Sequence, residues 1–105
     1  MKLRMKKEKK IVNKYVLVYF PKHENSDKSG YIQEHRLIVE IFIGRLLTNS
    51  EVVHHLNGFK TDNKISNLML FKTQKGHKSF ENKIKQFGYT NPIKRQIENR
   101  WKNYK

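Results

Sequence analysis

Three of the chain's five histidines fall within residues 54–77, and two of these, His54 and His55, are adjacent. Neighbouring side chains on a regular strand point to opposite faces, so the pair cannot aim at one target. One ring can face a helix while the other faces solvent or a substrate. His77 and Glu81 stand four residues apart and share a face if their segment is helical. A neutral imidazole from a strand, joined by an imidazole and a carboxylate from a helix, is a donor set for a divalent metal, with positions left for water and substrate. A strand histidine is more often structural than a ligand, so the residues alone leave both readings open.

The elements that must position these groups are legible from hydrophobic patterning. Residues 51–55, EVVHH, predict a short strand, and residues 56–67, with a glycine, an aspartate and three asparagines, predict a loop. Residues 68–71 predict another strand. A helix is expected from Thr73 or Gln74 to about Gln86, broken by Gly88. This order of strand, loop, strand and helix lets a hairpin bring His54-His55 against His77. Upstream, residues 11–20 (IVNKYVLVYF) predict one strand ended by Pro21, and residues 21–30 a polar loop closed by Gly30. Residues 32–46 predict a helix with Leu37, Ile38, Ile41 and Phe42 on its buried stripe, Glu34, Arg36 and Glu40 off it, and Gly44 at its end. Asn91 and Pro92 predict the N-cap and first turn of a last helix, with Ile93, Ile97 and Trp101 as a docking stripe. His35 is expected to be a packed core histidine and His23 an exposed one.

The 105 residues predict one domain and a small core. With no cysteine, disulfides, thiolate zinc sites and thiol catalysis are excluded. The net charge of +14 is concentrated at the ends: residues 1–10 carry +5 and residues 82–105 carry +6, leaving +3 for the body. Basic arms on a near-balanced body suit a polyanion. No apolar stretch reaches the ~20 residues that cross a bilayer. The basic start resembles the charged region of a signal peptide, but Asn13 and Lys14 break the apolar run after it and no small-residue cleavage site follows. A soluble, cytoplasmic protein is the expectation, in a bacterial cell or a phage-infected host.

The stretch EVVHHLNGFKTDNKISNLMLFKTQKGHKSFE resembles the HNH motif of phage and bacterial endonucleases. The likeness takes in His54-His55, Asn57-Gly58, Asp62-Asn63, Asn67-Leu68 and His77 in family order. Upstream, GYIQEHRLIVEIFIGRLL is similar to a block that precedes the motif in phage members, through Glu34-His35-Arg36 and Gly44-Arg45. The resemblance spans roughly residues 15–81. It implies an α+β fold: a small ββα-metal hairpin-helix core, here with an N-terminal strand and helix and a basic C-terminal helix. The domain layout expected is a basic arm (1–10), a nuclease domain (11–88) and a basic helical extension (89–105).

Carried over position by position, the resemblance implies that His54 and His77 are metal ligands and His55 is the general base. His54 should turn inward with His77, and His55 should face the scissile phosphate. Asn67 takes the position that orders the loop. Many members place a further histidine where this chain has Glu81, so a carboxylate oxygen or water would complete the ligand set. The implied activity is metal-dependent hydrolysis of DNA phosphodiesters with one divalent ion, Mg²⁺ or Mn²⁺ first, Zn²⁺ or Ni²⁺ as alternatives. Arg45, Lys60, Lys64, Lys72, Lys75, Lys78, Lys94, Arg95 and Arg100 are the candidate phosphate contacts. The expected partner is DNA and not a membrane, with the protein acting as a monomer or homodimer. The alternative is a nucleic-acid-binding protein without catalysis.

Overall fold

The residues between Glu8 and Tyr104 are described by a computed structural model; the first seven and Lys105 lie outside the described residues, and with them most of the basic arm. The run expected as one strand is a hairpin, β1 (Lys9–Val12) and β2 (Tyr15–Tyr19). Asn13 and Lys14 both have positive φ, 52° and 71°, and Val12 pairs directly with Tyr15. That is a two-residue turn whose twist matches its strands. Lys9 and Lys10 of the expected arm therefore belong to a sheet. A third strand, β3 (Tyr31–Gln33), which the helical pattern concealed, pairs antiparallel with β2.

Helix α1 (Glu34–Ile43) follows without a break and ends at Gly44, whose φ of 79° is cheap only for glycine. Its buried face differs from the expected stripe: Leu37 and Val39 are sealed, whereas Ile41 is 48% exposed. The reason is that α1 lies between two sheets. Leu37 packs with Val18 and Ile32 of the first sheet, while Val39 packs with the second. Glu34 and Glu40, expected off the apolar stripe, are buried too. Each has polar partners there. Glu40 accepts the Leu47 backbone N–H at 2.9 Å and meets His23 Nε2 at 2.6 Å. The His23 side chain is thus buried between two partners, correcting the expectation of an exposed loop residue: the Asn25 N–H of its own loop donates to Nδ1 at 2.9 Å, and a carboxylate seventeen residues away meets Nε2.

The second sheet is the antiparallel hairpin β4 (Val52–His55) and β5 (Leu68–Phe71), followed by α2 (Gln74–Phe87). These elements agree with expectation. All four residues of β5 are buried because both faces are covered. Val53, Leu68 and Leu70 face α1 in one cluster with Val39 and Leu47. Met69 and Phe71 face the other way, against Phe80 of α2. Helix α3 (Asn91–Glu98) is capped by Thr90, one residue earlier than expected, because its hydroxyl accepts the Ile93 N–H.

The expected Ile93–Ile97–Trp101 stripe is split. Ile93 and Ile97 join the Met69–Phe71–Phe80 cluster, but α3 stops at Glu98 and Trp101 crosses to the Val39–Leu68 cluster, edge-on to Phe42 at 5.2 Å. Between them, Arg100 donates to the carbonyls of Leu68 and Ser66, both at 2.7 Å, and of Ile97 at 2.6 Å. The C-terminal segment thus clamps both faces of the hairpin.

Two tests follow from this packing. Leu68→Ala should lower unfolding free energy in urea by about 2–5 kcal/mol, as expected for a sealed core leucine. Glu51 accepts a two-pronged contact from Arg45 at 2.9 and 2.8 Å, which, ahead of the opposing effect of burial, holds its carboxyl down at about 2 against an ordinary 4.5. A depressed carboxyl stabilises the fold above the unfolded-state value and loses that contribution as pH falls through the folded one. The stability deficit of Glu51→Gln should therefore be full above about pH 4.5 and shrink toward pH 2, measured by urea titration across pH.

Candidate active site

The strand period separates the histidine pair. His54 pairs across the hairpin with Met69 and shares its α2-facing side; His55 pairs with Leu68 and shares the side facing α1. In α2, Thr73 caps the first turn by accepting the Gly76 N–H, and this brings His77 over the strand. His54 Nδ1 lies 2.8 Å from His77 Nε2, and both nitrogens face Glu81 Oε2, at 3.8 and 3.5 Å. Among the described residues, this is the cluster of titratable groups whose donor atoms converge for a cation, all within 4.8 Å of one another.

The donor set fits a metal on its chemistry. Gln74 Oε1 accepts from His77 Nδ1 at 2.8 Å, which leaves the His77 lone pair on Nε2, aimed into the cluster. Burial first, then the neighbouring His77, pushes the His54 imidazole below its ordinary value, so the ring favours the uncharged form. Two imidazole nitrogens aimed at each other beside a carboxylate need a shared proton or a cation. Ligands about 2.1 Å from one ion stand roughly 3–3.4 Å apart, and the three observed separations bracket that spacing. Phe71 and Phe80 wall the rings of His54.

His55 occupies different surroundings. It is 7% exposed, its Nε2 is 2.6 Å from Asn63 Oδ1, and its ring leans on His35 at 5.0 Å. The ring is therefore packed against α1 rather than projecting freely into solvent, because Asn63 and His35 close over it. It still lines an open depression together with His54, Asn57, Gly58 and Glu81. His35 is a core histidine, as expected; burial, with His55 second, pushes it down to about 4.

Asn67 ties the loop. Its side chain accepts the Asn57 N–H at 2.9 Å and donates to Asn57 Oδ1 at 2.8 Å and to the Asp62 carbonyl at 2.9 Å. Glu34 and Arg36 brace the hairpin from α1: Glu34 accepts from Asn63, and Arg36 donates to the carbonyls of Glu51 and Thr48.

The candidate phosphate contacts divide into two groups. Lys64, Lys72, Lys75, Lys78, Lys94 and Arg95 are exposed, and Lys60 lies over the Tyr15 ring at 4.8 Å. Arg45 and Arg100 have their guanidinium donors committed to Glu51 and to backbone carbonyls, so the structure gives them bracing positions. Lys85 and Tyr89 line the site depression and were not singled out by sequence; the helical turn from Glu81 to Lys85 was the available signal. In sequence, Asn63 stands out only as half of the Asp62-Asn63 pair, and nothing local to it reveals a partner on α1.

No curated protein and no solved structure matches the chain. A family model described as HNH endonuclease matches residues 33–77, from the end of β3 through α1 and the hairpin to His77, so that Glu81 lies just past it. Over that segment the chain is similar to the HNH endonuclease family.

Proposed function

We propose that this chain is a divalent-metal-dependent endonuclease that hydrolyses phosphodiester bonds in DNA. The observation that carries the reading is the convergence of His54, His77 and Glu81 across the hairpin, beside His55. The likeness of residues 33–77 to the HNH endonuclease model supports a nuclease and a divalent ion in general terms.

His54, His77 and Glu81 would hold the ion. When bound, it supplies Lewis-acid stabilisation of the phosphate and of the departing oxygen. Two imidazoles and one carboxylate suit Mn²⁺, Ni²⁺ or Zn²⁺ better than Mg²⁺, which prefers oxygen ligands. His55 is the general base: it takes a proton from water as the water oxygen bonds to phosphorus, and the P–O3′ bond breaks. The open depression admits a polymer lying across it. Exposed Lys72, Lys75 and Lys78 supply backbone affinity without sequence information. A single site per chain predicts nicking by a monomer.

Plasmid DNA incubated with the protein and Mn²⁺ should be nicked, reversibly so on chelation. His55→Ala should lower the cleavage rate by roughly 10²–10⁴-fold while DNA binding persists; an unchanged rate overturns His55 as base. His77→Ala should weaken Mn²⁺ binding about 10–100-fold or more in calorimetry, and an unchanged affinity overturns the ligand set. DNA binding without cleavage under any of the four metals would favour the non-catalytic alternative.

A further inference from the structure

A chain of three buried polar groups runs from α1 to His55. Glu34, Asn63 and His55 are each 6–7% exposed. Asn63 Nδ2 donates to Glu34 Oε1 at 2.9 Å, and Asn63 Oδ1 lies 2.6 Å from His55 Nε2. The other carboxylate oxygen, Glu34 Oε2, accepts no well-directed hydrogen bond but has the Lys9 ammonium 2.6 Å away. The order of donors along this chain is forced. An ionised carboxylate only accepts, so the Asn63 amide must turn its NH₂ group to Glu34 and its carbonyl to His55. A carbonyl also only accepts, so the proton of the neutral His55 ring must sit on Nε2. Its lone pair is then on Nδ1.

Nδ1 is the nitrogen left for chemistry. It makes no hydrogen bond among the described residues, and it is not among the polar atoms sealed without a partner. His55 also lines the depression that His54 and Glu81 share.

We propose that Asn63 and Glu34 are positioning residues that lock His55 as its Nε2–H tautomer, so that Nδ1 is the atom that takes the proton from water. This rests on the reading of His55 as base. The proton moves from the water oxygen to Nδ1 as that oxygen bonds to phosphorus, and the resulting imidazolium keeps its Nε2–H on the Asn63 carbonyl, whose amide Glu34 holds from behind. A brace that only held α1 to the loop would not need this donor order, and any well-packed apolar pair would replace it.

The decisive measurement is ¹⁵N NMR of the histidine rings in the metal-free full-length protein, which distinguishes a protonated from an unprotonated ring nitrogen. His55 should show protonated Nε2 and unprotonated Nδ1; the opposite tautomer overturns the proposal whether or not the protein cuts DNA. In Asn63→Leu the preference should be lost, and kcat for plasmid nicking should fall about 10–100-fold with KM unchanged, the range seen when a partner orienting a functional histidine is removed. If that variant does not fold, Glu34→Gln keeps the shape but lets the amides reverse, and a mixed tautomer with an intermediate kcat is expected. A tautomer that shifts in either variant without any change in kcat overturns the catalytic consequence. Absence of cleavage in the unaltered protein would sink the nuclease reading alone, because the tautomer would still be read directly.

Discussion

The antiparallel pairing of β4 with β5 is the constraint on which the site depends. Its register sets His54 opposite Met69 and His55 opposite Leu68, and the period of two sends the two imidazoles to opposite sides. A slip of one residue would exchange their surroundings, leaving His54 among the polar braces of α1 and His55 against phenylalanine. That slip is opposed by burial, since Leu68 and Leu70 would leave their shared cluster with Val39 and Leu47. The hydrophobic pattern of the hairpin and the separation of its two histidines onto opposite sides are therefore one feature.

Each face then supplies what its ring needs. On the α2 side, aromatic walls and burial keep His54 uncharged, and Gln74 orients His77. On the α1 side, the ring of His55 meets the buried Asn63 amide, which reaches on to Glu34, and leans on the His35 ring, whose buried Nδ1 has no hydrogen-bond partner. Burying carboxylates and histidines in a chain this small is unfavourable unless they are satisfied. The structure gives the carboxylates partners, Glu34 with Asn63 and Lys9, Glu40 with His23 and Leu47, Glu51 with Arg45. Since α1 carries two of these carboxylates, it orients the site as well as filling the core.

The C-terminal segment completes the arrangement from outside. Ile93 and Ile97 cover one face of the hairpin, Trp101 the other, and Arg100 ties down the carbonyls at the start of β5. A segment notable in sequence for its charge is, in the fold, a clamp with its apolar residues turned inward.

How much could be read in advance depends on the range of the interactions. The strand containing His54-His55, the strand 68–71, the helix over His77 and Glu81 and the glycine stop at Gly44 were legible, because period, capping and turn chemistry act over a few residues. So was the convergence of His54, His77 and Glu81, since a hairpin and a helical i, i+4 spacing suffice to bring the three side chains together. The turn at Asn13-Lys14 was hidden because lysine is an uncommon second residue there. The burial of Glu34, Glu40 and His23, the splitting of Ile97 from Trp101, and the Asn63–His55 contact came only with the tertiary structure. Their partners lie between eight and twenty-nine residues away or across a helix packed on two sheets. By itself, then, the sequence determined which titratable side chains could meet, because donor types and short spacings are local. Which nitrogen each histidine presents, and to what, was decided by packing, because a ring's orientation is set by whatever closes over it.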